Sequence, residues 1–391
     1  MFRIICLVMI LTSCGGLHTR KAGARDPLVA AARPDLYLNH LEGYRVGLLV
    51  NHTALVGDQH LLDFLLEKGV QVDKIFSPEH GFRGQADAGE IVSDSVDSAT
   101  GIPVISLYGE RRKPDISFLE GLDIVIYDIQ DVGARFYTYI STLHYMMEAC
   151  AESGKELIVF DRPNPNGHYV DGPILEPEFQ SFVGMHPIPV VHGLTVGELA
   201  RMINGEKWLN GGLQCNLRVI PVGNYDRKMP YSLPVRPSPN LPDDRSVNLY
   251  PSICFFEGTV FSLGRGTQFP FQMVGYPDPE MGDFSFTPVS ITGMAKNPPH
   301  QDETCYGIDL RNGDPLDRID LSVLIEMHSR WNREGFFNSF FSKLAGTDLL
   351  MQQIIAGLSE EAIREGWREG IQAFRAMRKP YLLYPDLDDE I

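Results

Sequence analysis

Basic residues are scarce in this chain. Lys and Arg total 34 against 51 Asp and Glu in 391 residues, a formal net charge of −17. Such a surface argues against a general nucleic-acid binder, which needs cations for phosphates, and against wide contact with anionic lipid. A small anion held in a local basic pocket stays compatible with it. No Cys-x-x-Cys occurs among the six cysteines, so a zinc or thioredoxin-like site has no support. No Gly-x-Gly-x-x-Gly follows the first predicted strand, which runs into Asn51-His52-Thr53, and a dinucleotide lacks its phosphate cradle. A Gly-x-Ser-x-Gly esterase elbow is missing. His52, His80 and His192 are not spaced like metal ligands. Internal repeats and low-complexity tracts are absent.

The N-terminus reads MFRIICLVMILTSCGG. Arg3 supplies a positive n-region, and the apolar run 4–11 is too short to span a bilayer as a helix. Leu11-Thr12-Ser13-Cys14 resembles a bacterial lipobox, with Cys14 the lipidated residue. The alternative is an ordinary signal peptide whose apolar region ends in cysteine. Residues 1–26 are thus expected to be a lipoprotein signal and tether, with a soluble body held to a membrane only through acyl chains. The expected location is the cell envelope, as a periplasmic or outer-membrane lipoprotein.

Hydrophobic residues make up 43% of the chain, enough for two cores. Residues 44–50 (YRVGLLV), 72–76, 103–107, 123–129 (DIVIYDI), 156–160 (ELIVF) and 217–221 read as buried strands. Helical patterns fall at 61–68, at 137–153 before Gly154, and at 195–204 with Thr195 as a cap. Apolar strands separated by amphipathic helices predict a Rossmann-like, doubly wound parallel sheet over residues 27–224. Residues 230–251 hold six prolines and predict an extended, ordered connection. Helices are predicted at 321–331, 347–355 and 359–377, within a smaller α/β domain over 225–391. Cys150 in a helical stretch and Cys254 in an apolar one predict buried free thiols.

Ligands of open parallel sheets bind beyond the carboxyl ends of the strands. The polar residues there are Asn51 and His52, Glu79, His80 and Arg83, Asp128, Gln130, Asp131 and Arg135, Asp161, Arg162 and Asn164, and His192. Any one of them can simply cap a helix or make a turn; together they suggest one polar crevice. Glu79, between Pro78 and His80-Gly81, is the best-positioned candidate acid, with partnership to Arg83 as its structural alternative. Asp128 and Asp131 are second carboxylates. Tyr137 and Tyr139 lie on an aromatic turn, and Arg135 has the fork to grip a carboxylate.

SPEHGFRG at 77–84, YDIQDVGARFYTY at 127–139, DRPNPNG at 161–167, RPSPNLP at 236–242 and FFEGTVFSLGRGT at 255–267 together resemble one bacterial family. It was catalogued as a domain of unknown function and is now associated with exo-β-N-acetylmuramidases of the NamZ type, glycoside hydrolase family 171. The similarity covers nearly all of the body from about Gly43. It implies an active site in the cleft between the two domains, and release of N-acetylmuramic acid from the non-reducing end of peptidoglycan fragments. It places the family's motif glutamate on Glu79 and a tyrosine role on Tyr137 or Tyr139. It adds Asn240, Glu257 and Arg265 to the substrate-binding candidates. No cofactor, metal or nucleic acid is implied. The lactyl carboxylate of the sugar calls for a local cation, for which Arg83, Arg135, Arg162 and Arg265 are the candidates. A non-catalytic muropeptide- or sugar-binding lipoprotein using the same cleft is the competing reading.

Overall fold

The computed structural model describes residues 26–82, 93–109 and 111–388. Cys14 and Arg83, expected to be lipidated and to bind substrate respectively, lie outside the described residues. The predicted apolar runs form strands β1 (Arg45–Val50), β2 (Gln71–Ser77), β4 (Pro103–Ser106), β5 (Ile124–Asp128), β6 (Glu156–Phe160) and β7 (Asn216–Ile220), with the short β3 (Ser95–Val96) added at one edge. The sheet order is β3-β4-β2-β1-β5-β6-β7. Every pairing is parallel except β3 with β4. Counting the parallel strands alone, the order is 3-2-1-4-5-6, which reverses direction beside β1.

The side-chain period of two sorts each strand between the faces of the sheet. Val46, Leu48, Val50, Ile126, Ile158 and Phe160 join one buried cluster. Leu49, Val125, Tyr127, Leu157 and Val159 join the other. The second cluster continues without a break into Phe255, Leu324 and Phe374. The two cores are therefore the two faces of one sheet, and the second α/β domain is built onto one of them.

The crossovers follow their local signals. Helix α1 is Leu61–Glu67, α2 is Tyr139–Ser153 and α3 is Val196–Gly205. Gly154 ends α2 at φ +67°, a left-handed conformation that glycine adopts without strain. Thr195 caps α3 in a reciprocal box with Glu198, satisfying two free N–H groups.

Two expectations fail. Residues 230–251 are not extended throughout, since Asp244–Ile253 forms helix α4 with Pro251 inside it. A proline leaves the carbonyl four residues earlier without its helical donor. Here that carbonyl belongs to Val247, and the Asn166 side-chain amide donates to it at 3.0 Å. The single helix expected over 359–377 is two, α8 (Glu360–Glu365) and α9 (Arg368–Arg378). They part at Gly366-Trp367, where Gly366 has low helix propensity and Trp367 turns inward to be buried. Between these lie a three-stranded antiparallel sheet, β8 (Met273–Tyr276), β9 (Phe284–Phe286) and β10 (Cys305–Asp309), and helices α5 (Ser322–Arg330), α6 (Phe341–Ala345) and α7 (Leu349–Ile355). Cys150, Cys215, Cys254 and Cys305 are buried free thiols.

The segment after α9 returns to the first sheet. Tyr384 Oη donates to Asp161 Oδ2 at 2.6 Å and accepts from Val222 N at 2.8 Å. Arg227 pairs with Glu198 at 2.8 Å inside the protein and donates to Pro385 O at 2.6 Å. The Leu383 N–H also reaches Glu198, at 2.8 Å.

Candidate active site

The loop after β2 is shaped by its own sequence. Pro78 sets its first residue, and Gly81 N–H closes a turn onto Pro78 O at 3.1 Å. His80 is held at φ +69°, a strained conformation for a residue with a side chain, and its burial keeps it there. The result is that Glu79 projects, half-buried, into a cavity of about 420 Å³. Its Oε2 accepts from Thr138 Oγ1 at 2.9 Å. Tyr108 stands beside it, its phenol pushed up first by burial and then by the Glu79 charge.

Tyr137 and Tyr139 form the aromatic wall. Their rings meet edge to face at 4.9 Å, and Tyr137 meets Tyr250 the same way at 5.8 Å. Burial raises both phenols far above their usual range, and for Tyr139 the Glu79 charge adds to it. Both are therefore protonated at neutral pH and act as hydrogen-bonding groups rather than phenolates. A second carboxylate, Glu257, enters from the turn Cys254–Gly258. Arg265 holds it with Nη2–Oε1 at 2.5 Å and Nε–Oε1 at 3.2 Å. Burial alone would lower the Arg265 guanidinium, and the Glu257 charge more than restores it. Asn240 and His80 also face the cavity. Past Glu257 and Arg265 a second hollow of about 640 Å³ opens, floored by Phe256, Phe261, Met294 and Pro298.

The structure thus brings together Glu79, His80, Tyr137, Tyr139, Asn240, Glu257 and Arg265, contributed by both halves of the chain. The remaining candidates sit elsewhere, each with a visible structural job. Asp128 is fully buried and clasped by Arg162 at 2.5 and 2.8 Å, so neither side chain is available to a ligand. Among the described residues Arg135 makes no ion pair; it donates to the carbonyls of Pro173, Ile188, Leu344 and Ala345 at 2.6–3.0 Å. Burial without a carboxylate lowers it to about 9. Asp161 accepts from Thr195 Oγ1 and Gly197 N at the start of α3, and burial lifts it to about 7. Gln130 braces its loop through Asp131 O and Pro163 O. Asn164 donates to Leu194 O. Buried His192 accepts from Leu194 N and is lowered to about 3, by burial first and then by Arg378 and Arg135. Asn51 and Asp131 lie one layer behind the tyrosines. Asn51 sits against Tyr139, and Asp131 accepts from Gly133 N at 2.6 Å while burial lifts it to about 7.

Sequence reasoning missed Tyr108, Arg112, Ser238 and Lys343, which also line the cavity. Tyr108 follows strand β4 and was findable by the strand-end rule. Lys343 comes from α6, more than 260 residues after Glu79, and carries no local signal.

Two carboxylates in a cavity walled by aromatic rings, above a parallel sheet, define a site suited to acid–base cleavage of a sugar. The chain belongs to the NamZ exo-β-N-acetylmuramidase family. The N-terminal family model matches residues 46–245 and the C-terminal model residues 248–384. It is 39% identical over 374 residues to the peptidoglycan β-N-acetylmuramidase NamZ of Bacillus subtilis, covering 90% of this chain and 89% of that one. Two solved DUF1343-family proteins of Bacteroides fragilis share the fold. One is 46% identical at TM-score 0.87, covering 93% of this chain and 100% of its own. The other is 30% identical at TM-score 0.80, covering 92% and 99%.

Proposed function

We propose that this cavity is the active site of an exo-acting glycoside hydrolase that releases N-acetylmuramic acid from the non-reducing ends of peptidoglycan fragments. The observation that carries the assignment is Glu79, fixed by Thr138 on a strained loop in a cavity that also holds the Arg265-balanced Glu257. Glu79 is the general acid–base, passing a proton to the glycosidic oxygen as the bond breaks. Glu257 supplies the second carboxylate. Tyr137, Tyr139 and Tyr250 offer ring faces to the pyranose. The cavity lies within the range of small-ligand sites, and the hollow beyond Arg265 gives the leaving saccharide a place to lie.

The strand order supports reading residues 27–224 as a Rossmann-like, doubly wound domain, with the active site in the cleft it makes with residues 225–391. The Leu11-Thr12-Ser13-Cys14 motif supports an envelope lipoprotein acylated on Cys14. Mass spectrometry of the native N-terminus tests that reading, and an unmodified protein free in the periplasm contradicts it.

The activity is tested with a chromogenic N-acetylmuramide. The wild-type chain should release the chromophore. Glu79→Gln should lower kcat by about 10²–10⁴-fold or more at unchanged melting temperature. Near-wild-type turnover by Glu79→Gln would reduce Glu79 to a structural role.

A further inference from the structure

An N-acetylmuramidase must tell its sugar from N-acetylglucosamine, and the two differ by the 3-O-lactyl group and its carboxylate. The arginines nominated from the sequence do not serve. Arg135 is committed to four carbonyls and Arg162 to Asp128. Arg265 lines the cavity but is already neutralised by Glu257, and turning it to a substrate would leave Glu257 unpaired. Two other cations line the same cavity, Arg112 and Lys343. Both are exposed to solvent at its edge, and among the described residues neither has an ion pair or hydrogen bond, so each is free to turn to a ligand that enters. Arg112 holds its guanidinium carbon over the Phe182 ring, 4.4 Å from the centroid, a cation–π contact that leaves its N–H donors for a ligand.

We propose that Arg112 and Lys343 together grip the lactyl carboxylate and set the enzyme's preference for muramic acid. This rests on the muramidase reading of the cavity. The placement suits the sugar. The leaving oxygen on C1 and the lactyl ether on C3 flank C2, so the carboxylate must be held in the same cavity as Glu79 but apart from it. Tyr108 lines the cavity with them and feels the charges of both Glu79 and Arg112. Lys343 is delivered by α6, whose final carbonyls, Leu344 O and Ala345 O, are held by Arg135. Arg135 is thus a positioning residue for the grip rather than the grip itself. In a protein of net charge −17, two cations without partners in one cavity also favour the approach of an anionic sugar.

The experiment compares kcat/KM on a chromogenic N-acetylmuramide with that on its lactyl carboxamide, which keeps the shape and removes the charge. Wild type should favour the carboxylate. Arg112→Met and Lys343→Met should each lower kcat/KM on the carboxylate by about tenfold, as loss of a charge-assisted hydrogen bond does. Each should lower the carboxamide value by much less, because only a neutral hydrogen bond is lost there. Arg112→Lys and Lys343→Arg should retain most of the preference. Equal losses on both substrates, or none on either, would overturn the assignment. If wild type released neither chromophore, the muramidase reading itself would fail. An active wild type with indifferent variants would remove only the grip.

Discussion

Replacing Arg162 by methionine should destabilise the protein without touching the chemistry. Asp128 ends β5 with its side chain wholly inside the protein, and Arg162 meets it with two hydrogen bonds at 2.5 and 2.8 Å. Removing one partner of a buried ion pair strands the other charge, at a cost of about 3–5 kcal/mol. Arg162 also donates to Leu55 O at 3.1 Å, so the carbonyl loses a partner as well. If the 391 residues melt as one unit, the unfolding entropy is about 0.8 kcal/mol per degree, and the midpoint should fall by about 4–6 °C. The double variant Asp128→Leu with Arg162→Met removes both charges and should recover most of the loss. Scanning calorimetry reads the midpoints, and chromogenic turnover well below the melting range reads activity. A midpoint within about 1 °C of wild type, or lost turnover at an unchanged midpoint, would refute the structural role and return Asp128 to the candidate catalytic groups.

Asp131 gives a pH-dependent test. Burial lifts its carboxyl to about 7, against about 3.9 in an unfolded chain. Between those values the folded protein holds the proton and the unfolded chain does not, so stability falls as pH rises through that window. Asp131→Asn removes this loss, and urea titrations should show the variant gaining on wild type by up to about 4 kcal/mol between about pH 4 and pH 8. A difference independent of pH would contradict the burial argument. Gly346 sits at φ +75°, where an added Cβ would lie 2.6 Å from Arg135 Nη2. Gly346→Ala should therefore cost about 1–3 kcal/mol. By loosening α6 and Lys343 it should raise KM for the muramide more than it lowers kcat, and an unchanged KM would separate Arg135 from the substrate grip.

The sheet was legible because each strand is a compact apolar run with polar residues at its carboxyl end. The same rule led to Glu79, two residues past β2, and to the loop after β5 that carries the two tyrosines into the start of α2. It failed for Arg135, Arg162 and Asp128. Position after a strand places a backbone at the crevice but leaves a side chain free to turn inward, and these turn inward because buried carbonyls and charges there require partners. Helix α4 was hidden because the donor that compensates for Pro251 is Asn166, 81 residues from the carbonyl it serves. Arg112 and Lys343 were hidden for the opposite reason: both are exposed, and nothing in the sequence marks which exposed cations line a cavity.

The return of the segment after α9 bears on how the chain is made. Asp161 closes the carboxyl end of β6, yet one of its hydrogen-bond donors, Tyr384 Oη, lies 223 residues downstream. Glu198 likewise receives Leu383 N–H from 185 residues away. The strands of the first sheet can pair before those donors reach them. Until they dock, two interior carboxylates lack a donor, a condition that favours a loosened intermediate. Docking of Leu383 and Tyr384 is then the event that locks the first half as well as the second. Chains interrupted before that point should be cleared by proteases rather than accumulate as a folded fragment.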